Sequence, residues 1–137
     1  MATAAGYSGT PLTRKLGFKP GMRVWVDGAP AGYVEALEPL PPGLSFLQAL
    51  SPEVELANVF LSTRAALADG LSRARRTLDT EASLWISWPK KASGLPSEVT
   101  EDVVRELALP LGFVDIKVCA VDAVWSGLKL VVRKSLR

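Results

Sequence analysis

The stretch SLWISWPKKASG, residues 83–94, decides how the rest of the chain is interpreted. Its first half, residues 83–88, is apolar on both faces, as expected for a strand that helices cover on both sides. A proline then ends the strand, and Lys90, Lys91 and Ser93 follow at once. Ligands of open parallel sheets bind beyond the carboxyl ends of the strands, so the lysine pair predicts a site for an anion.

Strands and helices alternate on either side of this stretch. Apolar runs predict strands at 22–26, 44–49 and 54–61, and helices at 11–16 and 31–37. A longer helix follows a cap at Ser62 or Thr63, and another begins at Thr100. Alternating segments at 116–120 and 128–133 then flank a predicted turn at Trp125-Ser126-Gly127, which is typical of a hairpin.

This order of elements predicts one α/β domain over residues 1–137. We expect a mostly parallel sheet of about six strands with a C-terminal antiparallel hairpin. The order resembles the methyltransferase-like fold, which is Rossmann-like. The chain looks truncated against that fold, because roughly one strand with its helices is missing between Ala49 and Val54.

Composition excludes several classes of function. The net charge of +2 argues against nucleic acid as a partner, since domains that bind it carry a strong basic face. No apolar run reaches the length of a bilayer span, and residues 1–8 lack a signal pattern, so we expect a cytoplasmic protein that does not contact a membrane. The chain has no histidine and only one cysteine, Cys119, which leaves no metal site and no catalytic residue to predict.

Three segments are expected at the carboxyl ends of the strands. They are the loop 27–32 with Gly28, the loop 88–94, and the predicted turn with Trp125 and Ser126. We expect Tyr7 and Ser8 to pack across the same edge. The predicted ligand-binding residues are therefore Tyr7, Ser8, Gly28, Lys90, Lys91, Ser93, Trp125 and Ser126. The alternative interpretation is a solvated loop whose lysines stay in water.

The same loops give little support for a bound cofactor. The loop after the first strand lacks the G-x-G-x-x-G spacing, and Pro30 removes a backbone donor. No carboxylate follows the second strand, where Gln48, Ala49 and Leu50 stand, although ribose hydroxyls in such folds are bound by an acid there. We therefore expect no cofactor.

Four segments resemble an uncharacterised bacterial family of short proteins, a domain of unknown function. They are GYSGTPL (6–12), WPKKASG (88–94), KVCAVD (117–122) and WSGLK (125–129). The resemblance spans nearly the whole chain, but it implies no catalytic residue because the family has no agreed activity.

The leading hypothesis is a non-catalytic methyltransferase-like domain that binds a small anionic ligand or a protein partner. One alternative is a small transferase that uses S-adenosylmethionine or a nucleotide. Another is a dimeric structural module, a homodimer that pairs through the hairpin or an exposed sheet face.

Overall fold

The computed structural model describes residues 10–137, and within them it has four α-helices and six strands. The helices are α1 (Leu12–Leu16), α2 (Tyr33–Ala36), α3 (Arg64–Thr77) and α4 (Glu101–Ala108). The strands are β1 (Arg23–Asp27), β2 (Ser45–Phe46), β3 (Leu56–Phe60), β4 (Ser83–Pro89), β5 (Phe113–Ala120) and β6 (Trp125–Val132). None of the helices in this range has the length and apolar character needed to cross a bilayer.

One sheet joins the strands in the order β2-β1-β3-β4-β6-β5. β1 pairs in parallel with β2 and with β3, and β3 pairs in parallel with β4. β6 runs antiparallel between β4 and β5. The prediction of a mostly parallel α/β sheet of about six strands that ends in an antiparallel hairpin is confirmed.

Helices on both faces of the sheet explain the continuous apolar sequence of β4. Leu84 and Ile86 pack against α3 in one cluster with Leu71. Trp85 points to the opposite face, where its indole N–H donates a hydrogen bond of 2.8 Å to the Leu16 carbonyl at the end of α1. Every residue of β4 after the first is buried, so the strand must have a layer on each side.

The two longer helices begin where their capping residues predict. The Thr63 hydroxyl accepts the Ala66 backbone N–H at 3.2 Å, and the Thr100 hydroxyl accepts the Val103 N–H at 3.2 Å. Each cap satisfies one of the backbone donors that the first turn of a helix leaves unpaired.

The turn of the C-terminal hairpin lies earlier than expected, and the predicted turn at residues 125–127 is wrong. Trp125 already pairs with Pro89 at the start of β6. Asp122 forms the turn instead, because its Oδ1 accepts the N–H of Val124 at 2.8 Å and of Trp125 at 2.7 Å. Aspartate commonly stabilises a turn through its own downstream backbone, whereas tryptophan favours strands.

The first strand of the hairpin also departs from simple alternation. Ile116 and Val118 are 57% and 52% exposed, although their alternation with polar residues predicted a buried face. The register with β6 shifts between Asp115 and Lys117, and β5 is the edge strand of the sheet. Ile116 is the residue left unpaired by this bulge, which disrupts the ladder and bends the edge strand locally.

We expect Leu71→Ala to lower the free energy of unfolding by about 2–5 kcal/mol, because it leaves a cavity between α3 and the sheet. Leu71 is fully buried, while Arg73 on the same helix is exposed. The control Arg73→Ala should stay within about 0.5 kcal/mol of the wild type in urea unfolding. Equal losses in the two variants would contradict the assigned burial of α3.

Candidate functional site

The parallel strands end together at one side of the sheet. This carboxyl edge comprises Asp27 and Gly28 after β1, Phe60 at the end of β3, and the segment after β4. The β5–β6 turn joins it, because the Lys90 backbone N–H donates to the Val124 carbonyl at 2.7 Å. Ligand-binding crevices lie at this side of an open α/β sheet, at the point where neighbouring crossovers leave in opposite directions.

The segment Lys90–Gly94, here called the lysine loop, has a fixed backbone. The Ser93 hydroxyl donates to the Lys90 carbonyl at 2.6 Å and accepts the Leu95 N–H at 3.1 Å. Gly94 ends the loop in the left-handed conformation with φ 79°. Lys90 is half-buried and Lys91 is exposed, so the loop presents two cations from a rigid turn.

The other predicted site residues do not all converge on this loop. The Trp125 ring packs edge-on against Phe60, with centroids 5.2 Å apart. Ser126 pairs with Trp88 and therefore lies on the opposite face of the sheet from Trp125. The Ser93 hydroxyl proton is already donated within the loop. Tyr7 and Ser8 lie outside the described residues.

Gly28 brings the loop after β1 against the end of β3. A β-carbon at this position would lie 2.7 Å from the Phe60 carbonyl oxygen, and φ is 76°. Both facts require glycine. The backbone of the loop thus lies directly against Phe60 at the point between β1 and β3 where a cofactor would enter such a fold.

A buried polar network, which was not predicted from the sequence, lies beneath this edge. The Asn58 amide donates to the Tyr33 hydroxyl at 2.8 Å, and the Ser87 hydroxyl donates to the Asn58 Oδ1 at 3.0 Å. Asn58 and Ser87 are fully buried. Two polar residues in the middle of the apolar strands VELANVFL and SLWISW were the available signal.

The hydrogen bond from Asn58 fixes the Tyr33 hydroxyl in the core, where the residue has a structural role. Burial raises the pKa of Tyr33 to about 12, although the hydrogen bond from Asn58 acts in the opposite direction. The hydroxyl therefore stays protonated at neutral pH and is no general base. Its ring packs edge-on against Phe60 at 5.0 Å, so Tyr33, Phe60 and Trp125 form a continuous aromatic row under the edge.

A cavity of about 520 Å³ lies at the opposite end of the sheet. Its lining includes Gly17, Lys19 and Lys129, together with residues at the start of β1, β3 and β4. The sequence predicts no site there, because ligands of open parallel sheets are expected at the carboxyl ends of the strands. In residues 10–137, no group of three or more cysteine, aspartate or glutamate side chains is arranged to hold a metal ion.

Solved structures share this fold at low sequence identity. A SAM dependent methyltransferase from Aquifex aeolicus has a TM-score of 0.63 and 15% identity, over 88% of this chain and 87% of that one. TrmN from Thermus thermophilus has a TM-score of 0.56 and 17% identity, over 88% of this chain and 47% of that one. Human N-acetylserotonin methyltransferase has a TM-score of 0.60 and 12% identity, and the match covers 81% of this chain and 48% of that one.

These matches show a methyltransferase-like, Rossmann-like fold and nothing finer. The chain spans about half the length of TrmN and of the human enzyme. No family model matches the sequence, and a search of curated proteins finds no match. The resemblance to a bacterial family of short proteins stays a prediction.

The described residues do not fit S-adenosylmethionine, the cofactor that the fold implies. β2 has only two residues and ends at Phe46, and residues 47–52 contain no carboxylate for ribose hydroxyls. The loop after β1 lies against the Phe60 carbonyl at Gly28. We therefore derive no methyl-transfer step for this site.

We expect Gly28→Ala to destabilise the protein more than Gly32→Ala. Both glycines have positive φ, 76° and 88°, so each alanine costs about 1–2 kcal/mol of backbone strain. Only at Gly28 would the new methyl group meet the Phe60 carbonyl, while Gly32 faces open space. Overpacking should add about 1–3 kcal/mol at Gly28, measured by urea unfolding. Similar losses in both variants would show that the close approach is absent.

Proposed function

We propose that this chain is a non-catalytic methyltransferase-like domain that binds a small anionic ligand at the lysine loop. The observation that carries the proposal is the combination of Lys90 and Lys91 on a rigid turn at the carboxyl edge. Three hydrogen bonds fix the backbone of this loop, from Lys90 to Val124, from Ser93 to Lys90 and from Leu95 to Ser93, and so hold the two lysines at this edge.

The charges of this loop are not neutralised within the described part of the chain. The ion pairs of residues 10–137 involve Arg23, Arg64 and Arg105, and neither Lys90 nor Lys91 takes part in one. An anion bound here would supply the missing opposite charge. Bonds from an ammonium to an anionic oxygen are about twice as strong as neutral hydrogen bonds.

The absence of methyl transfer is the second part of the proposal. The polar groups under the edge, Tyr33, Asn58 and Ser87, are all engaged with one another. The carboxylate of Asp122 is occupied by two backbone N–H groups of its own turn. Tyr33, Asn58 and Ser87 therefore offer no free general base, and the proposal gives the lysine loop the role of binding and orienting a ligand rather than of activating it.

Sulfate or phosphate should raise the melting temperature of the wild type, measured at constant ionic strength. A ligand at ten times its dissociation constant stabilises by about 1.4 kcal/mol, which corresponds to about 5 °C for a domain of this size. The double variant Lys90→Ala and Lys91→Ala should lose most of this response, because both ammonium groups at the edge are removed.

The matched control is the double variant Arg133→Ala and Lys134→Ala. It removes the same number of charges from exposed positions after β6, at the other end of the sheet. It should keep the anion response. The proposal is wrong if the wild type does not respond, or if the lysine-loop variant responds as the wild type does.

A small transferase that uses S-adenosylmethionine is the second candidate. It is favoured by the match to the methyltransferase from Aquifex aeolicus, which covers most of both chains. Asp27 adds to it, because it places an exposed carboxylate at the end of β1 beside Gly28. That acid is one strand away from the position at which the ribose would be bound in this fold.

Calorimetry with S-adenosylmethionine should detect weak binding or none. The expected result follows from the absent carboxylate after β2 and from the contact between Gly28 and Phe60. Asp27→Asn is the matched variant, since it would weaken any binding that depends on this acid. A low-micromolar dissociation constant that Asp27→Asn abolishes would instead establish the transferase candidate.

A further inference from the structure

A second group of lysines lies on the α1 face of the sheet, towards the amino ends of the parallel strands. Lys129 of β6 pairs across the strands with Lys117 of β5. A methyl group added at Gly17 would lie 3.4 Å from the Lys129 ammonium, which places that ammonium at the end of α1. Lys19, two residues further on, lines the same cavity as Lys129. We call Lys19, Lys117 and Lys129 the β6 lysine cluster.

Within residues 10–137, no carboxylate is paired with this cluster. The ion pairs in this range are made by three arginines, and none includes a lysine of the cluster. Burial and repulsion from Lys117 and Lys19 lower the pKa of Lys129. The fold therefore keeps like charges close together at a half-buried position, an arrangement that a bound anion would stabilise.

Capping of α1 does not account for Lys19 and Lys129. The Lys15 carbonyl accepts the Lys117 ammonium at 2.8 Å, and the Leu16 carbonyl accepts the Trp85 indole at 2.8 Å. The preceding carbonyls of α1 accept the N–H groups of residues 17 and 18. The carbonyls at the helix end are thus satisfied without the other two lysines.

The adjoining cavity has a size and a polarity that suit a small ligand. Its volume of about 520 Å³ falls within the range of small-molecule sites. Arg23 also lines it, but Glu55 lies 4.0 Å from its guanidinium and takes up that charge. Asp79 and Glu81 line the cavity as well, and they would accept hydrogen bonds from a ligand.

We propose that this cavity binds a phosphorylated small molecule, with its phosphate at Lys19 and Lys129 and its hydroxyl groups towards Asp79 and Glu81. The two acids would repel a larger polyanion, so a single phosphate on a hydroxylated body fits the distribution of charge better than a polyphosphate. This site lies at the opposite end of the sheet from the lysine loop and does not depend on the proposed function.

Two tryptophan indoles distinguish the two sites in one experiment. Trp85 is the cross-strand partner of Lys129, and Trp125 lies at the carboxyl edge. Glucose 6-phosphate should shift the indole resonance of Trp85 in ¹⁵N spectra of the full chain, and this shift should persist in the double variant Lys90→Ala and Lys91→Ala, in which any response of Trp125 through the lysine loop is lost. Glucose, which lacks the phosphate, should shift neither. Inorganic phosphate should bind more weakly than glucose 6-phosphate, because it makes no contact with Asp79 or Glu81.

Lys129→Met removes the half-buried charge and keeps an apolar side chain of similar length. It should weaken binding of glucose 6-phosphate about tenfold or more, the loss expected for one charge-assisted hydrogen bond. The melting temperature without ligand should stay the same or rise, since like-charge repulsion is relieved. Lys19→Met changes an exposed residue and should give a similar loss of binding. It replaces Lys129→Met as the test variant if Lys129→Met does not fold.

The double variant Lys90→Ala and Lys91→Ala is the control and should bind glucose 6-phosphate at Trp85 as the wild type does. The inference is overturned if Trp85 does not respond at millimolar ligand, if only Trp125 responds, or if the folded lysine variants of this cluster bind with unchanged affinity. Equal affinity for inorganic phosphate would overturn the assignment of hydroxyl contacts to the two acids.

Discussion

The burial of β4 on both faces is the constraint on which the rest of the structure depends. Every residue after Ser83 is buried, so the strand is stable only with a helical layer on each side. Leu84 and Ile86 are buried against α3 on one face of the sheet. On the other face Trp85 packs beside α1, and its indole N–H donates a hydrogen bond to the carbonyl of the last residue of α1. The partner strands β3 and β6 then fix which residues can meet at either end of the sheet.

Arginine and lysine side chains have different roles in the described part of this chain. Arg105 bonds Glu101, Asp102 and Asp115, and it thereby ties α4 to β5. Arg64 similarly joins the start of α3 to Glu106 on α4. The guanidinium group forms several directed bonds at once, which suits the joining of elements. Lysines at both ends of the sheet lack such partners among the described residues, and for that reason both proposals rest on lysines.

Much of the fold could be predicted because its signals are local. The buried stretch of β4, the caps at Thr63 and Thr100, and the alternation in β6 each depend on residues close in sequence. The hairpin turn was misplaced because Trp125-Ser126-Gly127 has the composition of a turn. Gly127 is small for a different reason: a β-carbon there would lie 3.1 Å from the Trp85 ring, which is forty-two residues away in sequence.

The candidate sites were harder to predict, because their residues meet only through the register of the sheet. Nothing in the sequence near Lys129 indicates that Lys117, Lys19 and the end of α1 surround it. The network of Tyr33, Asn58 and Ser87 likewise joins three separate elements. The lysine loop was found because its residues are consecutive, but its relation to Val124 depends on the position of β6.

The shortened first half of the fold has a direct consequence for ligand binding. In this fold a cofactor binds at the carboxyl edge beside a glycine-rich loop after the first strand, and an acid about 20 residues further on binds its ribose. Here the loop lies against the Phe60 carbonyl at Gly28, and β2 is reduced to two residues without an acid. The sheet still joins six strands, and β3 and nearly all of β4 are buried in it. The strands of a methyltransferase-like sheet can therefore pair as they do here although the residues after β1 and β2 lack the features expected of an S-adenosylmethionine site.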